Sequence, residues 1–318
     1  MKLTLNDIRK LSGVEIFNTE FLTKKKVTGV STDSRSVQQG NIFIALRGEK
    51  FDAHQFIDTV ILNGACAVVV DAQWKASTAQ KLSLLKAAIV VVPDTTLAFG
   101  ELAREYRRKF KIPVLAIGGS NGKTTTKEMI SAVLQTKFTI LATEGNLNNH
   151  IGVPQMLFRL TSKHDIAVLE LGTNHFGELQ YLCELVEPTH ALITNIGKEH
   201  LEFFGDEHGV AQEETALFRY IAQNNGFAFV NTDDLFLRKA GKVVRKKITY
   251  GTSTRSSFKG TRIMMNASGQ PRFDVLQKGK RRKFAVQLAS AGMHNVSNAL
   301  AAAAVGSTFR VPAKKISG

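Results

Sequence analysis

The sequence predicts an α/β protein, with a small N-terminal α/β domain followed by a domain built on a doubly wound, mostly parallel sheet. Apolar segments of strand length alternate with segments of helical periodicity, which is the pattern of a parallel sheet covered by helices. A glycine-rich stretch, 118–128, stands between such a strand and a helix, as in a P-loop. The chain of 318 residues has the length of about two domains.

The first part of the chain, residues 1–111, is predicted to form the small domain. Asp94 or Thr95 can cap a helix whose apolar residues recur at four-residue spacing, with Arg107 and the neighbouring arginines on its outer side. Lys-Ile-Pro at 111–113 ends this helix and marks a domain boundary. The strands expected before it are 41–46, 65–71 and 87–92, with a helix at 54–64 between the first two.

The second domain is predicted to cover residues 112–309, with 310–318 as the start of a linker. Ligands of such parallel sheets lie at the carboxyl ends of the strands. After Asn231 the chain becomes basic, and its strand-like pieces resemble antiparallel hairpins added to the sheet. An alanine-rich helix, 296–306, follows them. The buried strands are expected at 114–119, 165–172, 190–197 and 227–231, and the hairpin pieces at 246–251, 258–265 and 281–288.

Composition excludes several classes of protein. With 43% hydrophobic and 22% charged residues, the chain matches globular proteins rather than disordered or fibrous ones. No apolar stretch has the length of a membrane span, and the N-terminus lacks the pattern of a signal peptide. Cys66 and Cys183 form no CxxC pair, so neither a disulfide framework nor a zinc site is indicated. We therefore expect a cytoplasmic protein.

The net charge of +15 by itself suggests a nucleic acid or an acidic ligand as partner. Between Arg238 and Lys283, however, fifteen Lys or Arg residues stand against the single acid Asp274, so this segment accounts for nearly all of the excess. The segment includes none of the candidate site residues. We interpret it as a solvated basic face, and we expect a monomer that binds neither nucleic acid nor a membrane.

The strongest local signal is GGSNGKTTTKE, residues 118–128. A glycine turn before a helix lets backbone N–H groups face a phosphate, Lys123 can reach the terminal phosphates and the Thr124 hydroxyl can bind Mg²⁺. Position 117 is Ile where the strict motif has glycine, and a plain glycine-rich turn is the alternative. The strand and helix around it favour phosphate binding. The predicted phosphate-binding residues are Gly119, Ser120, Asn121, Gly122, Lys123, Thr124 and Thr125.

Two further strand ends bring metal-capable groups to the same edge of the sheet. Glu170 follows a buried apolar run, where a carboxylate is costly unless it is hydrogen-bonded or bound to a cation. His200 follows the next strand. Taken singly, the first could be a paired structural acid and the second a surface histidine. Next to a P-loop, the two could hold Mg²⁺ ions that offset charge during phosphoryl transfer.

The stretch TEGNLNNHIGVP, 143–154, concentrates amide side chains ahead of a helix that we expect to start at Pro154. Amides suit the recognition of peptide or sugar groups without adding charge, and Asn148 and Asn149 are the candidates for this role. An asparagine-rich turn is the alternative interpretation.

Five segments in this order resemble the central ATPase domain of the Mur ligases, a family that builds the peptide of bacterial cell-wall precursors. They are GGSNGKTTTK, GNLNNHIGVP, LELGTNHFGEL, TNIGKEHLEFFG and GMHNVSNALAAAA. The earlier segments STDSRSVQQGNIFIALRG and FDAHQFID resemble the family's first domain, which holds the UDP-sugar end of the substrate. The resemblance covers nearly all of residues 27–318.

The resemblance implies an ATP-dependent amide-bond ligase of peptidoglycan synthesis that uses ATP and Mg²⁺. Within the family, LGTNHFGEL and the amide-rich segment are similar to the branch that adds D-Ala-D-Ala to UDP-N-acetylmuramoyl-tripeptide, giving ADP and phosphate. A carboxylate and an amine do not condense directly at neutral pH because the oxygen leaves poorly, so ATP would first make an acyl phosphate. Whether the third residue of the tripeptide is diaminopimelate or lysine stays open.

The resemblance also implies roles for individual residues. Lys123, Glu170 and His200 would be catalytic, and Arg35 would be the chemically suited partner for the UDP diphosphate. The nucleotide's adenosine end would contact Asn295 and Asn298. The other implied residues are Ser31, Asp33 and Ser34 for the uridine nucleotide, Asn148 and Asn149 for the acceptor-substrate cleft, and Thr124, Glu170, His200 and Glu214 for metal.

The chain departs from the family pattern in two ways. The family has a carbamylated lysine shortly after the histidine loop, where GVAQEETALF places Glu214, and Ala216 stands where the family has an acid. We hypothesise that Glu214, or its neighbour Glu213, supplies the negative charge directly, the alternative being an exposed helix start. The family also continues into a third domain that this sequence lacks. We therefore expect a truncated form, or a shorter relative, with little turnover.

Three functional interpretations are compatible with these observations. An amide ligase of this branch accounts for the whole ordered set of motifs. Another amino-acid ligase of the superfamily, close to the diaminopimelate- or lysine-adding enzymes or to folylpolyglutamate synthase, accounts for the ATPase core but not for LGTNHFGEL or the Asp-Ser-Arg segment. A basic P-loop ATPase that binds nucleic acid accounts for the charge, yet no nucleic-acid-binding motif accompanies it.

Overall fold

The computed structural model describes residues 1–23, 26–48, 51–279 and 283–317 and contains two compact units. One unit comprises residues 1–111 together with 154–159, and the other comprises 112–153 and the chain from 160 onward. Both units are α/β, and the central sheet is mostly parallel, which confirms the predicted fold class. Among the described helices, none combines the length and the apolar character needed to cross a membrane.

The described residues of the first unit form a five-stranded sheet in the order β1-β5-β4-β3-β2, parallel except for β1. Its central strands are buried along nearly their whole length because helices cover the sheet. The strands are β1 Glu15–Phe17, β2 Gly29–Ser31, β3 Asn41–Ile44, β4 Ala67–Asp71 and β5 Ala88–Val92. The helices are α1 Leu5–Ile8, α2 Glu20–Thr23, α3 Ile57–Leu62, α4 Ala72–Thr78 and α5 Thr95–Arg107, with 3₁₀ turns at Ser34–Ser36, Ala53–Phe56 and Ala79–Leu84.

Helix α5 begins as predicted, with Asp94 as its cap. The Asp94 carboxylate accepts hydrogen bonds from the backbone N–H groups of Thr96 and Leu97, at 2.7 and 3.0 Å. The prediction that Arg107 faces outward was wrong, since this residue is buried. Its guanidinium donates to the Phe110 carbonyl at 2.7 Å, so it satisfies a backbone acceptor just beyond the end of its own helix.

The second unit has a nine-stranded sheet among its described residues, in the order β14-β13-β12-β11-β10-β9-β6-β8-β7. The strands are β6 Val114–Gly118, β7 Ile140–Ala142, β8 Ile166–Glu170, β9 His190–Ile193, β10 Phe227–Asn231, β11 Lys246–Gly251, β12 Phe258–Met265, β13 Pro271–Gln277 and β14 Lys283–Gln287. Strands β6 to β10 are parallel, so their carboxyl ends share one edge of the sheet. This edge is where the predicted strand-end residues lie.

Helix α7 begins in this unit, and its residues from Pro154 onward belong to the first unit. Helix α7 begins at Gly152, two residues before the predicted start at Pro154. The helices are α6 Lys123–Gln135, α7 Gly152–Phe158, α8 Glu178–Val186, α9 Leu201–Phe204, α10 Glu207–Glu214, α11 Ala216–Gln223, α12 Leu235–Ala240, α13 His294–Thr308 and α14 Ala313–Ile316, with a 3₁₀ turn at Gly241–Val243.

The basic strand-like pieces form hairpins only in part. Strands β12, β13 and β14 pair in antiparallel fashion, as expected, although residues 281 and 282 of the last piece lie outside the described residues. Strand β11 is instead parallel to β10 and to β12, so its assignment to a hairpin was wrong. The physical reason is α12, which lies between β10 and β11 in the chain and acts as the crossover that two parallel neighbours require.

Candidate active site

The glycine-rich turn has the backbone conformation that a P-loop needs. Gly119 and Gly122 have φ angles of 113° and 78°, in the region that favours glycine, and Gly122 directly precedes α6. A Cβ atom on Gly119 would collide with the Thr194 side chain and come within 2.7 Å of the Thr194 backbone nitrogen. Glycine is therefore required here both by the turn and by the close approach of a neighbouring strand end.

The turn is held by the segment that follows β9. The Ser120 N–H donates to the Asn195 carbonyl at 2.9 Å, and the Gly197 N–H donates to the Ser120 hydroxyl at 2.8 Å. The Thr194 hydroxyl and the Asn195 amide both donate to the Asn121 carbonyl, at 2.7 and 2.8 Å. These bonds join residues more than seventy positions apart, so the conformation of the turn depends on the sheet as a whole.

Lys123 starts α6 and bends back over the turn. Its ammonium donates to the carbonyl of Gly119 at 2.5 Å and to that of Ser120 at 3.3 Å. The amine is thereby held on the loop that would surround a phosphate. Thr124 and Thr125, the next residues of the helix, are both exposed at its first turn.

Glu170, at the end of β8, joins the P-loop to the amide-rich segment. It is buried, and its two carboxylate oxygens accept from the Thr124 hydroxyl and from the Asn148 amide, each at 3.0 Å. Its backbone N–H donates to the Thr143 hydroxyl at 2.9 Å. A carboxylate at this strand end is satisfied by hydrogen bonds, as the cost of burying it requires.

A cleft of about 240 Å³ opens beside these groups and is polar on most sides. His200, at the start of α9, has a φ angle of 48° and lines this cleft. Asn149 lines it too, although its side-chain oxygen also accepts from the N–H groups of Ile151 and Gly152 and so caps α7. The residues around the cleft are Lys123, Asn148, Asn149, His150, Gly172, Thr173, Asn174, Glu178, Tyr181, Leu182 and His200.

Glu213 and Glu214 are both buried at the end of α10, so the alternative of an exposed helix start was wrong. Glu213 accepts from the N–H groups of Gly177 and Leu179, at 2.9 and 2.7 Å, at the start of α8. Glu214 accepts from the Gly119 N–H at 2.6 Å. Burial raises the pKa of Glu214 to about 7, and the nearby Lys123 only partly offsets this. Of the two, Glu214 is the one that contacts the P-loop.

A second pocket, of about 360 Å³, lies on the other side of the turn. Asn298, on α13, lines it beside Gly122, whereas Asn295 is buried behind and accepts from the Asn298 amide at 3.1 Å. The segment after β10 was not predicted to belong to a site, although its NTDD sequence follows a buried strand in the same way as Glu170 does. The pocket residues that were missed are Asn195, Asn231, Asp233, Asp234, His294 and Ser297.

The donors present fit Mg²⁺ only in combination with phosphates. Within the described parts of the chain, no group of three or more His, Cys, Asp or Glu side chains is arranged to hold a metal ion. The Thr124 hydroxyl and the Glu170 carboxylate are adjacent oxygen ligands of the kind that Mg²⁺ prefers, and Mg²⁺ commonly takes its remaining ligands from substrate phosphates and water. The four predicted metal residues therefore lie in three places. Thr124 and Glu170 contact each other, His200 lines the cleft, and Glu214 lies against the Gly119 N–H of the turn.

In the first unit, the predicted nucleotide-contacting residues form a small exposed turn. Arg35 donates to both carboxylate oxygens of Asp33, at 2.9 and 2.8 Å, and these bonds hold the pKa of Asp33 at about 2. The Ser31 hydroxyl donates to the Asp33 carbonyl at 2.9 Å. A cavity of about 540 Å³ lies beside the turn, and its aromatic walls were not predicted. Its lining residues are Thr32, Asp33, Ser34, Arg35, Phe43, Phe51, Ala53 and Phe56.

A glycine turn between a parallel strand and a helix, with polar groups at the neighbouring strand ends, defines the second unit as a P-loop nucleotide-binding domain. Residues 117–306 match the model of the Mur ligase middle domain, and residues 26–107 match that of the Mur ligase family, catalytic domain. The chain belongs to the Mur ligase family, as its motifs predicted.

Individual relatives agree with this assignment. UDP-N-acetylmuramoyl-tripeptide–D-alanyl-D-alanine ligase of Haemophilus influenzae is 39% identical over 297 residues, which are 88% of this chain and 59% of that protein. A crystal structure of MurF from Acinetobacter baumannii superposes with a TM-score of 0.86 at 34% identity, covering 99% of this chain and 66% of that one. The crystal structure of MurF ligase from Thermotoga maritima in complex with ADP superposes with a TM-score of 0.80 at 26% identity, covering 92% of this chain and 66% of that one. The chain thus spans about three fifths of the length of the first of these relatives.

Proposed function

We propose that this protein acts in the ATP-dependent formation of the amide bond between UDP-N-acetylmuramoyl-tripeptide and D-Ala-D-Ala. One observation carries the proposal: the two oxygens of Glu170 contact Thr124 of the P-loop and Asn148 of the amide-rich segment. A phosphate-binding loop and a group of uncharged amides therefore meet at one polar cleft. Relatives named for this reaction, at 39% and 38% identity, support the choice of substrates.

The proposed reaction needs two transfers. A carboxylate oxygen of the tripeptide attacks the γ-phosphorus of ATP and ADP leaves; the amine of D-Ala-D-Ala then attacks the acyl carbon, loses a proton, and phosphate leaves. Both partners in the first step are anions, so the protein must reduce their repulsion. Lys123 would do so by donating to the phosphates, with the N–H groups of the first turn of α6 around them. The Asn148 and Asn149 amides would orient the peptide end of the substrate.

We infer that Thr124 and Glu170 would hold Mg²⁺ together with the nucleotide phosphates, because their side-chain oxygens are adjacent to each other beside the P-loop. The bound ion would supply positive charge at the phosphates. His200 faces the same cleft and would contact the reacting groups. For a second site we propose Glu214 rather than Glu213, because hydrogen bonds from the start of α8 already engage both oxygens of Glu213.

The two pockets beside the turns would receive the remaining parts of the substrates. We propose that Asn298, with Asn295 behind it, lies at the adenosine end of the nucleotide, beside the polar segment after β10. We propose that Ser31, Asp33, Ser34 and Arg35 contact the uridine nucleotide. The aromatic side chains beside them, including the stacked pair Phe51 and Phe56, would suit the flat uracil ring.

Calorimetric titration of the protein with competing substrates tests this proposal. We expect UDP-N-acetylmuramoyl-tripeptide to bind at least about tenfold more tightly than the corresponding dipeptide, since each hydrogen bond left unmade costs about 1 kcal/mol or more. Tetrahydrofolate should not bind. Equal affinity for the tripeptide and the dipeptide would favour another ligase of the family, and tight folate binding would favour a folylpolyglutamate synthase. Tighter binding of duplex DNA than of the tripeptide, the dipeptide and tetrahydrofolate would favour a P-loop ATPase that binds nucleic acid.

The Glu214 proposal has a separate test. The variant Glu214→Gln keeps the size of the side chain and an acceptor for the Gly119 N–H, so we expect the fold to persist. Without a carboxylate beneath the turn, we expect Mg²⁺ to strengthen ADP binding several-fold less than in the parent protein. The matched variant Glu213→Gln should lower the melting temperature and leave the Mg²⁺ dependence unchanged. An unchanged Mg²⁺ dependence in Glu214→Gln would exclude the role.

A further inference from the structure

The last three strands of the central sheet, β12 to β14, have two very different faces. The inner face packs against α13 with buried apolar side chains such as Phe258, Phe273 and Val275. The register places alternate residues on the outer face in three cross-strand rows. The rows are Met264–Arg272–Gln287, Thr261–Asp274–Ala285 and Lys259–Leu276–Lys283. This set, which we call the outer face, lies opposite the face that packs on α13.

The outer face has a strong excess of positive charge. The Asp274 carboxylate has two cations at 3.7 and 3.5 Å, from Arg262 and Lys283, whose side chains are 74% and 50% exposed. Asp274 is also the only acid between Arg238 and Lys283. Four cations of these strands, Lys259, Arg262, Arg272 and Lys283, stand against the one carboxylate of Asp274 among the described residues of this face. The face therefore keeps a net positive charge and attracts anions from solution.

Exposed apolar side chains stand among these charges. Met264 is 59% exposed and lies opposite Arg272, and Leu276 is 39% exposed and lies in register between Lys259 and Lys283. Apolar groups surrounded by cations are the pattern of a surface that enters the boundary between lipid headgroups and acyl chains. Surfaces that bind single-stranded nucleic acid, in contrast, present aromatic side chains on which the bases stack. Here the aromatic residues of these strands, such as Phe258 and Phe273, face α13.

We propose that the outer face docks on a lipid bilayer that contains anionic headgroups. Lys259, Arg262, Arg272 and Lys283 would contact the phosphates, while Met264 and Leu276 would enter the interface. This proposal replaces the expectation of a purely solvated basic face without a membrane partner. It is independent of the proposed ligase reaction, since none of these residues lines the cleft or the two pockets beside the phosphate-binding turns.

Co-sedimentation with vesicles tests the proposal. The parent protein should bind vesicles of equal parts phosphatidylglycerol and phosphatidylcholine, less so as salt rises, and should not bind vesicles of phosphatidylcholine alone. The triple variant Arg262→Gln, Arg272→Gln, Lys283→Gln should lose about a hundredfold in partition coefficient, since each surface cation contributes about fivefold. The charge-neutral pair Met264→Gln, Leu276→Gln should lose a further, smaller factor of about three to five.

A matched variant separates this face from net charge. Lys86→Gln, Lys111→Gln, Lys163→Gln removes three exposed cations from elsewhere, and we expect less than about a twofold loss of binding. Circular dichroism and melting temperature would show that every variant is folded. Equal losses in the two triple variants would overturn the proposal. So would equal binding to both kinds of vesicle, or tighter binding to duplex DNA that is unaffected by Met264→Gln, Leu276→Gln.

Discussion

Two turns of this protein are candidates for binding phosphate groups, and they are held in opposite ways. The P-loop, 118–125, depends on distant residues, because Thr194 and Asn195 bond to Asn121 across more than seventy positions. The turn 31–36 is held by residues within itself, chiefly the ion pair of Arg35 with Asp33. The side chain of Arg35 is 88% exposed, whereas Lys123 is folded against the carbonyls of its loop.

This difference determines whether a substitution in each turn changes ligand affinity alone or also the conformation of the turn. In the P-loop, ligand affinity and the conformation of the loop depend on the same groups, so both respond to changes at the neighbouring strand ends. In the turn 31–36, the exposed guanidinium contributes little to the stability of the fold because its ion pair is open to water. Changes there should alter ligand binding alone.

The largest expected effect is on nucleotide binding at the P-loop. The variant Lys123→Met keeps the aliphatic stem and removes the ammonium, so the β- and γ-phosphates lose their charged donor. We expect the affinity for ATP, measured by calorimetry, to fall about a hundredfold or more, which corresponds to one or two charge-assisted hydrogen bonds. Lys163→Met, at an exposed loop residue, is the matched control and should bind ATP as the parent does. A loss of less than about threefold in Lys123→Met would show that the ammonium stays on the Gly119 carbonyl when nucleotide is present.

The contrast between the turns also explains which features could be predicted from the sequence. The P-loop, the Asp94 cap and Glu170 at its strand end were predictable because each depends on adjacent residues or on the common edge of parallel strands. The ion pair between Asp33 and Arg35 likewise depends only on residues two positions apart. Features that depend on distant packing were not predictable: β7, the burial of Arg107, and the parallel pairing of β11.

The adjacent residues Glu213 and Glu214 show this limit most clearly. Both are acids at the end of one helix, and their sequence context gives no reason to separate them. Packing directs one to the start of α8 and the other to the Gly119 N–H, so only the structure assigns them different roles. The segment 231–234 differs from these acids, since its position at the end of a buried strand is visible in the sequence, as that of Glu170 is.

The next largest effect concerns the sheet that supports the P-loop. His190, on β9, is packed among Phe227, Phe229 and Phe309, and its burial lowers its pKa to about 4. In the unfolded chain the pKa is about 6.5, so below that pH the unfolded state gains a proton that the folded state resists. The associated stability is fully present at neutral pH and is lost as the pH falls from about 6.5 to about 4.

We expect protonation of His190 to lower the free energy of unfolding of the central unit by about 2 kcal/mol between neutral pH and about pH 5. Denaturant unfolding at the two pH values measures this change. His190→Phe cannot take up the proton, so the pH slope in this window should flatten even if the absolute stability changes. His164→Phe, at a histidine outside this aromatic cluster, is the control and should keep the slope. An identical slope in His190→Phe and the parent would show that other groups cause the acid sensitivity.

The smallest effect is expected at the turn of the first unit. Arg35→Gln removes an exposed cation and frees Asp33, so its melting temperature should stay within about a degree of the parent's, as usual for exposed ion pairs. The affinity for UDP, measured by calorimetry, should fall about tenfold, because a guanidinium bound to phosphate contributes about 1.5 kcal/mol or more. Asp33→Asn separates two possible causes, since it breaks the same ion pair and keeps the guanidinium. If Asp33→Asn binds UDP as tightly as the parent, the cation acts on the ligand directly. If it loses as much as Arg35→Gln, the ion pair shapes the turn, and the turn then resembles the P-loop in coupling its own structure to ligand binding.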